Sequence, residues 1–234
     1  MNDSGLGAEI VWHIGQLGIS TTVVTTWGVM LLFILLALLT RLGLRPEPGR
    51  LQNAVEAILI AIEEALKEVL PPNSVRQVLP FVGTLWLFVL AANLAGLIPG
   101  LHAPTRDLSA TAALAVLVFA ASHWYGIRAH GIKLHLKHYT EPSVILLPFH
   151  IISEITRTLA LAIRLFGNIM SLEMAALLVL LIAGFLVPVP LLMLHVIEAV
   201  VQAYIFGMLA LIYIAGALES GASETNSPSS EEKS

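Results

Sequence analysis

Five strongly polar side chains stand in one apolar stretch, EITRTLALAIRLFGNIMSLE: Glu154, Arg157, Arg164, Asn168 and Glu173. Within a membrane helix such groups are costly. An arginine there costs roughly 3 kcal/mol on insertion scales and about 10 or more in simulation. A chain keeps them where they pair, reach an interface or handle charge. At about 100° per residue, Arg157 and Arg164 share a helix face that Asn168 and Ser171 continue, whereas Glu173 points to nearly the opposite side. Glu154 lies three residues before Arg157 and can pair with it along the helix. Arg164 has no carboxylate three or four residues away, and it is the hardest of the five to explain as packing.

A second polar set follows at His195, Glu198 and Gln202, whose spacing makes one stripe on one helix. The stripe reads either as a hydrogen-bonded seam between helices or as the wet wall of an ion path. Histidine titrates near neutrality. If Glu173 faces this stripe, the site holds two carboxylates and an imidazole but no Ser or Cys nucleophile, which suits passing protons better than bond-making. Asn93 is the only strongly polar side chain well inside its apolar segment, and helix packing or an ion path would account for it. His130, His135 and His138 are not spaced as a tetrahedral ligand set. With Arg128, Lys133 and Lys137 they read as a solvated basic loop, and no metal or cofactor is expected.

These groups need elements to hold them, and the composition says of what kind. Of the 234 residues, 57% are hydrophobic and only 12% charged, and mean hydropathy is +0.85. Soluble domains carry about 25% charged residues, so the chain is read as an integral membrane protein. The net charge of −4 owes much to Glu224, Glu231 and Glu232 in the tail and says little about partners. There is no cysteine, hence no disulfide and no thiolate site. Asp3 and Glu9, with no basic lead segment, predict no cleavable signal.

The expected fold is all-α, a single membrane domain over 1–219 with five membrane helices and one amphipathic interfacial helix. Residues 1–19 read as an interfacial lead-in. Helices are expected at about 22–42, 51–70 (interfacial), 76–97, 108–125, 142–183 and 191–218. The last two are long and tilted as a hairpin. In the 51–70 helix Val55, Ile58, Leu59, Ile62, Leu66 and Val69 form an apolar stripe opposite Glu56, Glu63, Glu64, Lys67 and Glu68. It packs on its own protein or offers a docking face. A helix over 142–183 would be roughly 60 Å long at 1.5 Å per residue, twice the ~30 Å hydrocarbon core. It must tilt, break or begin outside the membrane. Residues 220–234 are polar and expected to be disordered. The basic cluster Arg41, Arg45 and Arg50 predicts a cytoplasmic end for the first span and an N-terminus outside, with the C-terminus cytoplasmic.

Ala162-Ile163-Arg164-Leu165-Phe166-Gly167-Asn168 followed by Glu173 resembles the signature of subunit a of the F-type ATP synthase membrane sector. Asn93-Leu94 with Pro99 is similar to the family's motif at a span end, and Pro104, Asp107 and Thr111 to the polar turn after it. His195, Gln202, Tyr204-Ile205-Phe206 and Glu219 are similar to its last helix. The resemblance implies a stator subunit beside a ring of c subunits, with peripheral-stalk b subunits, the catalytic ATPase head at a distance, and the lipid bilayer as further partners. It implies no nucleic acid, no covalent chemistry in this chain, and a bacterial inner membrane. It also implies that Arg164 faces the ring between two half-channels, attracting the deprotonated ring carboxylate and blocking a leak. Asn168, Glu173, His195 and Gln202 would line the outer half-channel, with Glu198 an additional acid. Glu154 and Arg157 stand as an inner-channel or structural pair, and Asn93 and Asp107 as packing polar groups. Thr158, Leu172 and Gly96 depart from the common pattern and leave the ion open, proton or sodium. A stand-alone secondary ion transporter is the reading from another class.

Overall fold

The computed structural model describes residues 10–14, 17–42, 49–98, 101–132, 147–183 and 188–219. The polar tail from 220 and the basic segment 133–146 lie outside the described residues. A short antiparallel hairpin comes first, β1 (Ile10–Ile14) and β2 (Leu17–Ser20), paired from Ile10↔Ser20 to Ile14↔Leu17. It occupies part of the segment expected as an interfacial lead-in. Among the described residues every later element is a helix, and five of the helices are long and apolar enough to cross a membrane.

Helix α1 (Thr21–Leu42) has few ties to the rest, and Trp27, Leu31, Ile34 and Leu39 stand exposed along it. Such a surface suits lipid contact. Helix α2 (Arg50–Val69) is the amphipathic one, and Ile62 and Leu66 bury against α3. The pair Pro71-Pro72 sets the next boundary: Leu70 is extended, as a residue before proline should be, and Pro72 opens α3 (Pro72–Ala95) at the position where its missing N–H costs nothing. That start lies four residues ahead of the expected one.

Between α3 and α4 (Leu108–His130) sits one 3-10 turn, Pro104–Arg106. Asp107 caps α4 by accepting from the Ser109 N–H at 2.9 Å, the usual way to satisfy a first-turn donor. Helix α4 runs five residues past its expected end. Arg128 and His130 in the last turn complement the helix dipole, and Gly131, at φ +81°, terminates it where an L side chain would be strained.

Helices α5 (Leu147–Ala183) and α6 (Pro188–Glu219) are the long pair. At 1.5 Å per residue, α5 is about 55 Å long, and it is continuous, so a break is not how it fits. The core is organised on α6, which packs against α3, α4 and α5. Ala203, Phe206 and Ala210 are buried on one stripe, with Leu85, Val89, Ala115, Val118, Leu161 and Leu165 in the same cluster, and Ala199 is buried one turn before them. The alanines let helices approach closely, as membrane helix packing favours. At Gly207 the approach is closest: a Cβ there would lie 2.8 Å from the Trp86 ring.

Candidate functional site

The 3-10 turn and Asp107 just after it fasten polar groups of three helices, α1, α3 and α5. Thr105 donates its hydroxyl to Asn93 Oδ1 at 2.8 Å, both residues being wholly buried. The Asn93 amide in turn reaches the Ala199 carbonyl on α6 at 3.5 Å. Thr22 of α1 donates to Asp107 Oδ2 at 3.2 Å. Arg106 donates to Glu173 Oε1 on α5 at 2.8 Å. Asn93 and Asp107 thus each bridge elements far apart in the chain.

Further along the α5–α6 contact, Asn168 donates to Gln202 Oε1 at 2.6 Å. Gln202 is wholly buried and Asn168 half-buried. Two buried nitrogens on α6, His195 Nε2 and Gln202 Nε2, have no hydrogen-bond partner among the described residues. A finished seam would leave neither, because an unpaired buried polar group costs ~1–3 kcal/mol. Glu198 is half-buried on the same helix and makes no ion pair among the described residues.

The arginines differ sharply in their surroundings. Arg157 is doubly held: Nη1 donates to Glu154 Oε1 at 3.0 Å, and its guanidinium carbon lies 3.9 Å from the Tyr213 ring centroid on α6. Arg164 is exposed between the exposed Ile163 and the buried Leu165, and among the described residues nothing pairs with it. Helical phase puts Leu161, Leu165 and Ile169 inward, so Arg164 projects from the bundle.

Among the described residues Glu173 makes no ion pair with His195. Its polar partners among the described residues are Arg106 at 2.8 Å and His102 at 3.4 Å, both from the α3–α4 connection. Helical phase had turned Glu173 away from Arg164, but phase along α5 could not say which element it would meet. His102, Thr105 and Arg106 are the residues that sequence reasoning missed. The only signal was a basic residue inside a polar turn. His130, set aside in the sequence as part of a basic loop, bonds through Nε2 to the Leu218 carbonyl at 2.6 Å and ties the ends of α4 and α6 together.

The family described as ATP synthase A chain matches residues 23–215. The chain is 60% identical over 219 residues to "ATP synthase subunit a 1" of Hahella chejuensis, covering 94% of this chain and 92% of that one. It is 59% identical over 212 residues to "ATP synthase subunit a 2" of Pelobacter propionicus, covering 91% and 92%. To "ATP synthase subunit a" of Legionella pneumophila strain Paris it is 54% identical over 220 residues, covering 94% and 95%.

Proposed function

The chain belongs to the ATP synthase A chain family, and from that premise we propose that Arg164 is its contact with a rotating c-ring. In this reading the chain is the ion-translocating stator subunit of an F-type ATP synthase in a bacterial inner membrane. Its N-terminus lies outside, its C-terminus in the cytoplasm, and b subunits hold it against the ring.

The observation that carries this reading is Arg164 itself, exposed and unpartnered among the described residues while Arg157 and Arg106 each have a carboxylate. Arginine stays protonated at any working pH. A guanidinium left in an apolar layer costs roughly 3 kcal/mol or more, so a carboxylate from another chain is the partner that offsets it. A ring that brings one deprotonated carboxylate after another past Arg164 meets this need at each step. The attraction discharges the carboxylate of its ion and stops the ion from slipping directly across. The transmembrane potential supplies about 2.3 kcal/mol per charge per 100 mV, so the pairing has to be weak enough to release.

On the α6 side, Asn168, Gln202, His195 and Glu198 form the path by which the ion reaches the ring from outside. The imidazole of His195 supports a proton as the ion, because it can bond to a water chain. Glu173 with its loop partners stands at the mouth of that path. Glu154–Arg157, stacked on Tyr213, reads as a structural pair that fixes α5 against α6.

Replacing Arg164 by alanine is expected to abolish ion-driven ATP synthesis while the subunit still assembles with the ring. Wild-type coupled synthesis in Arg164→Ala would overturn the proposal. Ion transport by the purified chain alone in liposomes would favour a stand-alone transporter instead.

A further inference from the structure

We propose that His102, Arg106 and Glu173 form a proton-entry station, in which His102 takes the proton from the outside solution and Arg106 positions Glu173 to receive it. The proposal rests on the reading of the chain as a proton-conducting stator subunit and adds two residues to it.

Three contacts close a triangle. Glu173 Oε1 lies 2.8 Å from Arg106 Nη1 and 3.4 Å from His102 Nδ1, and the two nitrogens are 2.9 Å apart. Side-chain exposure falls along the triangle, from 52% at His102 to 33% at Arg106 and 25% at Glu173. The cluster therefore has a wet end and an inner end. Arg106 and Glu173 are half-buried, so their contact also holds the turn to α5, whereas the exposed His102 adds little as a fastening.

The chemistry of the three groups assigns their roles. Arg106 keeps its protons at any working pH, so it can orient the carboxylate but cannot protonate it. His102 is the one neighbour among the described residues able to hand over a proton. In the observed arrangement Arg106 donates to Nδ1, which makes His102 a neutral imidazole with that nitrogen as acceptor. A proton arriving from water takes the Nδ1 lone pair, and the Arg106 N–H leaves that nitrogen. The new Nδ1–H then points at Oε1. Its N–H bond breaks as an O–H bond forms, the electron pair returns to Nδ1, and Glu173 becomes a neutral acid. A neutral acid binds a guanidinium less strongly than a carboxylate does, so the Arg106 contact loosens once the proton has arrived.

Among the described residues no other charged group pairs with this cluster. Asp107, next along the turn, is turned to Thr22 and to its own helix cap. On α6, neither His195 nor Glu198 comes within ion-pair distance of Glu173, and α5 offers no further charged partner among the described residues.

The test uses membranes carrying the complete ATP synthase, driven by an imposed potential of fixed size while the outside pH is stepped. A collecting imidazole matters most where protons are scarce. For His102→Gln we expect synthesis within about twofold of wild type near pH 6 and about tenfold below it near pH 8.5. A pH-independent loss, or the wild-type profile, would overturn the proposal. Arg106→Gln should lower synthesis at every outside pH, with partial rescue by Arg106→Lys; a wild-type rate in Arg106→Gln overturns the positioning role. Arg164→Ala in the same membranes separates the two levels. An inactive Arg164→Ala with a flat His102→Gln profile refutes the entry station alone, whereas an active one refutes the stator reading beneath it.

Discussion

Asn168 and Gln202 share one hydrogen bond, yet removing either partner should have very different consequences. Gln202 is wholly buried, its Oε1 satisfied only by Asn168 at 2.6 Å and its Nε2 without a partner among the described residues. Asn168→Leu therefore strands a whole amide inside the α5–α6 contact, at ~1–3 kcal/mol for a buried polar group with no partner. Gln202→Leu removes the same bond, worth about 0.6 kcal/mol between membrane helices on average. It leaves behind a half-buried Asn168 that can turn to water, and it also deletes the open Nε2. The two effects oppose, and the net should lie within about 0.5 kcal/mol of zero. In a thermal melt of the detergent-solubilised complex, read at this chain by protease accessibility, a difference of 1 kcal/mol shifts the midpoint by about 2–4 °C for a chain of this size. Taking about 2 kcal/mol for the stranded amide, Asn168→Leu should fall by about 4–8 °C and Gln202→Leu by no more than about 2 °C. The double variant should sit near Gln202→Leu, giving a coupling energy of about 1–2 kcal/mol. Equal losses in the single variants, or the reverse order, would refute the burial argument. Both variants should still slow ion flux, because both remove a polar group from the path.

Gly207→Ala should destabilise α6 against α3 by about 1–3 kcal/mol through overpacking, because its Cβ would meet the Trp86 ring at 2.8 Å; an unchanged melt would refute that close approach. Thr105→Val keeps the side-chain shape but strips Asn93 Oδ1 of its donor at a fully buried site. A loss of about 1–3 kcal/mol is expected, and the same melt measures it. Arg164→Ala should assemble normally and make no ATP by ion flow, as read by synthesis in membranes. His102→Gln should lose activity as the outside solution is made alkaline, which the stepped-pH synthesis assay reads.

Much of this was legible in the chain because each signal is local. Apolar length marks the spans, and the three-residue spacing of Glu154 and Arg157 gives a pair that forms at 3.0 Å. The expense of Arg164 in an apolar stretch follows from residue type alone, and helical phase alone turns Glu173 away from it. What could not be read is which face of one helix meets which face of another. Helical period fixes a side chain's direction around its own axis and nothing about the neighbour it will find. So the element that Glu173 would meet stayed open, and among the described residues it is held by Arg106 and His102, from a turn 67 residues away in the case of Arg106. The Asn168–Gln202 bond, the Trp86–Gly207 contact and the Thr105–Asn93 pair are of the same kind. The sequence by itself determined that this chain lies in a membrane and carries an arginine there that needs a partner. Only the tertiary structure decided that the arginine projects outward while His195 and Gln202 are buried, because that depends on α6 packing against α3, α4 and α5 at once.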